Sequence, residues 1–182
     1  MAFEVSKHYL EEVRRQLEGY KRLGEGALNQ LKDEDFFVTI DAESNSIAII
    51  VKHVTGNMRS RFTDFLTTDG EKPDRNRDSE FVAPPETRAA VLDMWESGWA
   101  YVFQALEPLT DADLGRTVYI RGEAHSVMQA INRQVAHYAQ HVGQIVLLAK
   151  HFAGSNWKSL SVPRNRSGEF NAKVAAGEAS QR

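Results

Sequence analysis

With 182 residues, 42% of them hydrophobic and 26% charged, the chain has the length of one domain around one hydrophobic core, and it lacks the polar bias that prevents folding. The balance of 22 Lys and Arg against 25 Asp and Glu leaves a formal charge of -3, so no global positive field exists to displace counterions from a nucleic acid. Cysteine is absent, which excludes disulfides, thiolate nucleophiles and Cys-ligated metals and restricts any metal site to N and O ligands.

Four segments carry apolar residues at helical spacing. The first, residues 3–31, has Val5, Tyr9, Val13, Leu17, Tyr20, Leu28 and Leu31 in register, while Gly19, Gly24 and Gly26 each weaken its later half by ~1 kcal/mol, which predicts a kink or fray there. The second, residues 46–66, places Ile47, Ile50, Val51, Val54, Met58, Phe62 and Phe65 on one stripe. A long polar loop follows over residues 71–78. The third segment begins after Pro84 and Pro85, carries Val91, Leu92, Trp95, Trp99, Val102, Phe103 and Leu106, and stops before Pro108. Residues 117–120 suit a short extended piece too isolated to imply a sheet. The fourth opens on Ser126 with Gln129 three residues later, a capping-box pattern that starts a helix near Val127 and runs to Gly154.

The expected architecture is therefore an all-α four-helix bundle, with up-down helices, a long loop between the second and third, and a polar C-terminal tail. Residues 1–170 are expected as one metal-binding domain and residues 171–182 as a flexible tail, with Trp157 and Phe170 pinning the segment before it. No stretch approaches the ~18 apolar residues of a spanning helix, and the N-terminus lacks a basic stretch leading into an apolar one. A cytoplasmic protein without a membrane or nucleic-acid partner is expected.

Among six histidines, His137 and His141 stand four apart, on one helix face with Cβ atoms ~6 Å from each other. Such a pair is most often a surface or hydrogen-bonded feature, and a third ligand is needed to make it a metal site. His53 lies at the edge of the second helix's apolar stripe and can supply it, although a boundary histidine bonded to a carbonyl fits equally well. Two imidazoles from one helix and one from another would suit Zn, Ni, Fe or a similar ion and leave positions for water or substrate. Asn57, one turn after His53, can point into the same cavity. Arg59 and Arg61 can recognise a carboxylate or simply pair on the surface. His125 reads as a residue flanking the start of the fourth helix, and His8 and His151 have no partner pattern.

The runs IVKHVTGNMRSR at residues 50–61, DFLTTDGEKP at 64–73 and HYAQHVGQ at 137–144 resemble the DinB/YfiT-like superfamily, and a small uncharacterised subfamily within it. The resemblance spans about residues 3–170. Its pattern, a His on the second helix and His-x-x-x-His-x-x-Gln on the fourth, falls on His53, His137, His141 and Gln144. It implies a four-helix bundle with a three-histidine metal site, nickel or zinc first and iron or manganese next, in a homodimer. It also implies a metal-dependent enzyme that either transfers a small-molecule thiol to an electrophile or hydrolyses a small molecule. The alternative is a non-enzymatic, metal-stabilised dimeric module for binding or stress response.

Overall fold

A computed structural model describes residues 5–180. Phe3 of the expected first helix, and Gln181 and Arg182 at the end of the expected flexible tail, lie outside the described residues. The structure is mostly helical, with five α-helices and one small two-stranded sheet. No helix among the described residues is long and apolar enough to cross a membrane.

Helix α1 spans Val5–Leu28 without a break, contrary to the kink or fray that its glycines suggest. Tertiary packing explains the difference at Gly24, where an added Cβ would come within 2.7 Å of the Trp95 ring. The missing side chain lets α3 approach closely, and that burial offsets the helix-propensity cost. Helix α2, Ile47–Phe62, starts where the Ser46 hydroxyl accepts from Ile49 N–H. It ends four residues before the expected segment does, because Thr63 turns extended and Asp64 takes a positive φ of 48°. Helix α3, Arg88–Leu106, is capped by Thr87. Helix α4, Val127–Ala153, opens on the reciprocal Ser126–Gln129 capping box.

Apolar residues of these four helices meet in one core, with Leu17, Val54, Trp95, Trp99 and Tyr138 among its fully enclosed members. Helix α2 packs on α3 and α4, and α1 on α4 and α3.

Thr117–Ile120 is a strand, β1, and is not isolated. It pairs antiparallel with β2, Glu123–Ser126, through a two-residue turn at Arg121 and Gly122, both with positive φ. The Asp69 carboxylate accepts from both turn N–H groups at 2.8 Å, and Gly70 N–H donates to the Tyr119 carbonyl. The connection between α2 and α3 is thus tied to the hairpin that leads into α4. The polar C-terminal segment contains a short helix, α5, Ser167–Ala175. Trp157 and Leu160 pack against the core, and the Gln30 side chain bridges the Lys158 N–H and carbonyl.

Candidate metal centre

Helix α4 carries His137 and His141 one turn apart, with their Nε2 atoms 3.1 Å from each other. Two imidazole nitrogens bound to one ion at ~2.0–2.1 Å stand ~3–3.4 Å apart, so the pair already has ligand spacing. His53 reaches the pair from α2, its ring 5.5 Å from that of His137 and 5.0 Å from that of His141, edge-on to both. One ring nitrogen from each residue falls within 4.8 Å of the other two, an arrangement that can hold a metal ion. His8, His125 and His151 take no part in it.

The far side of two rings is held. His53 Nδ1 lies 2.8 Å from Glu80 Oε2, and His141 Nδ1 lies 2.7 Å from Gln144 Oε1. Carboxylate and amide oxygens accept, so each Nδ1 donates, which leaves Nε2 as the ring nitrogen available to a metal. His137 differs, because its buried Nδ1 has no hydrogen-bond partner among the described residues.

Glu80 was not legible as a site residue. It belongs to the short 3-10 turn Asp78–Phe81 in the polar loop, yet its residue exposure is only 6%. Arg75 grips it with two bonds, Nε to Oε1 at 2.8 Å and Nη2 to Oε2 at 3.0 Å. Arg75 also reaches Glu71, which accepts from Arg61 and Arg121 in turn. A chain of polar contacts therefore runs from His53 through Glu80, Arg75 and Glu71 to the hairpin. Burial pushes the Glu80 carboxyl up, but the bonds from His53 and Arg75 more than offset this and hold it below the ordinary carboxylate range. One feature of the sequence could have found it. Gly56 sits mid-helix in α2, and a Cβ there would collide with the Glu80 carboxylate, its Cδ being only 2.8 Å away.

Asn57 is buried one turn beyond His53, where its Oδ1 accepts from the Tyr138 hydroxyl at 3.2 Å. It lines a cavity of about 340 Å³ together with His137. Arg59 pairs with Asp74, and Arg61 donates to Glu71 and the Gly70 carbonyl, so both are engaged within the chain.

Burial, reinforced by repulsion from His141 and His53, pushes the His137 imidazole down from 6.5 to about 3. His141 is lowered by burial too, with its bond to Gln144 opposing the shift and His53 adding to it. Both rings are neutral at pH 7, the form that a metal requires. Since the unfolded chain keeps a His value of ~6.5, it takes up protons before the folded one as pH falls. The stability due to these neutral rings is complete above that value and is lost progressively toward about pH 3. The melting temperature of metal-free protein should accordingly fall between pH 7 and pH 4. A flat profile over that range, followed by circular dichroism, would contradict the buried neutral cluster.

Fold and cluster together define a helical protein with three converging histidines able to hold a metal ion. Residues 4–166 match the model of the family described as "Protein of unknown function (DUF1572)", and the chain belongs to that family. A search of curated proteins finds no match.

Proposed function

We propose that this protein is a metal-dependent enzyme of the DinB/YfiT type, a four-helix bundle of α1–α4 acting on a small molecule at His53, His137 and His141. The observation that carries this reading is the donor set itself. Three imidazoles converge from two helices, with Glu80 and Gln144 holding the far nitrogens of two of them. Among the described residues no carboxylate joins the group, so a tetrahedral or larger coordination shell retains an open position, the mark of a catalytic rather than a structural site. A divalent ion there, nickel or zinc as the resemblance implies, would supply Lewis acidity that lowers the pKa of a thiol or of water at neutral pH. The chain's own residues orient the ligands: Glu80 and Arg75 hold His53, Gln144 holds His141, and Tyr138 fixes Asn57 beside the cluster.

Thiol transfer to a small electrophile is the leading reaction and hydrolysis the second. Protein purified without a polyhistidine tag should contain about one transition-metal ion per chain by elemental analysis. Metal-loaded protein should consume a low-molecular-weight thiol in the presence of a panel of small electrophiles, or cleave an activated ester, and chelator-treated protein should not. One ion per chain with neither activity would assign the ion a structural role. A homodimer joined through bundle helices belongs to the same proposal. Leu147, exposed on α4, is a side chain that such an interface would cover, and sedimentation velocity at micromolar concentration tests it.

A further inference from the structure

We infer that the cavity beside His137 binds a short carboxylate-bearing molecule, with Arg133 receiving the carboxylate. The inference deepens the proposed function and rests on it for what lies at the molecule's other end.

The cavity follows the seam between α2 and α4. His53 meets His137 and His141, and Asn57 meets Tyr138 one turn further along α2. Arg61, another turn on, lines the same space as Gln134, so α2 runs up the seam as α4 runs down it. Asn57, Arg61 and Gln134 are all buried and form the floor, while Arg133 and Gln140 stand exposed at the rim with His137 between them. Its volume of about 340 Å³ lies at the lower end of the ~300–1,000 Å³ typical of small-molecule sites.

Chemistry selects the ligand. Two guanidiniums, three carboxamides and an imidazole line the cavity, and no carboxylate does among the described residues. Arg61 is already matched by Glu71 and the Gly70 carbonyl. Arg133 is matched by nothing among the described residues. Among the arginines of the described residues, only Arg133 and Arg164 make neither an ion pair nor a hydrogen bond, in a chain whose acidic residues outnumber its basic ones. Three buried polar atoms on the lining residues, Arg61 Nε, Gln134 Oε1 and His137 Nδ1, also lack partners. Buried polar atoms are rarely left so, and these lie beneath the cavity's surface rather than on it. A planar guanidinium fork matches a carboxylate in two parallel bonds.

Position sets the ligand's length. Arg133 precedes His137 by four residues, a rise of ~6 Å between their backbones, which matches the span of a molecule with roughly three to five bonds between its ends.

The test uses glutarate as probe, titrated calorimetrically into zinc-loaded and chelator-stripped protein, with its neutral diamide as control. Wild-type protein should bind glutarate and discriminate against the diamide. Arg133→Gln should weaken glutarate binding about 10-fold or more, the loss expected for a charge-assisted bond, without changing zinc content or melting temperature. Arg164→Gln should change nothing. No glutarate binding, equal binding of the diamide, or wild-type affinity in Arg133→Gln would each overturn the inference. These outcomes separate from the metal reading: glutarate bound through Arg133 in a protein that takes up no zinc would keep the cavity and remove the metal centre, and the reverse result would do the opposite.

Discussion

Each of His53→Ala, His137→Ala and His141→Ala is expected to abolish stoichiometric zinc binding, with a loss larger than the ~10–100-fold that follows removal of a residue behind a ligand. A site with three protein ligands has none to spare. His8→Ala and His151→Ala, outside the cluster, should bind as the parent does. The three ligand variants should also differ from one another in the metal-free state. His53→Ala removes a donor from buried Glu80 and should destabilise the fold, because the carboxylate is left with Arg75 alone. His137→Ala removes a ring whose Nδ1 has no partner and whose neighbours repel its charged form, so it should lose zinc at little cost to the melting temperature. Zinc retained at one per chain in His137→Ala, measured by equilibrium dialysis, would defeat the assignment of the cluster.

Glu80→Ala should produce the largest stability loss of any change in the site. It leaves Arg75, whose side chain is only 4% exposed, with its 3.4 Å contact to Glu71 as the remaining ion pair. Removing one partner of a buried pair typically costs ~3–5 kcal/mol, because the other charge stays desolvated. The same change frees His53 to rotate and should weaken zinc by ~10–100-fold. Urea unfolding of the metal-free protein separates these effects from mere loss of metal. Gly56→Ala offers a steric version of the same test. Helix propensity alone predicts a gain of up to ~1 kcal/mol for this substitution. Here the new methyl would occupy space held by the Glu80 carboxylate, so a net loss of stability and weaker zinc binding are expected. A more stable Gly56→Ala with unchanged zinc affinity would show that Glu80 does not press on α2 in solution.

Four long helices were legible in the sequence because their evidence is local. Apolar residues recur every three to four positions in α2, α3 and α4, and Ser46, Thr87 and Ser126 cap the helices they precede by bonds spanning three residues. The His137 and His141 pair was legible for the same reason, since one helical turn sets its spacing. The hairpin was not, because residues 123–126 carry no apolar alternation, and β2 exists through pairing with β1 and the anchoring of its turn by Asp69, 52 and 53 positions away. Helix α5, nine residues without a buried side chain, lies below the length at which local propensity decides the outcome. Arg75 and Glu80 lay in a stretch that reads as a solvated loop. What buries them is an ion pair closed against His53, 27 residues back, and the space left by a glycine on another element. Local periodicity and caps are encoded within a few residues and can be read there, whereas desolvated charges meet only when the packed helices bring them together.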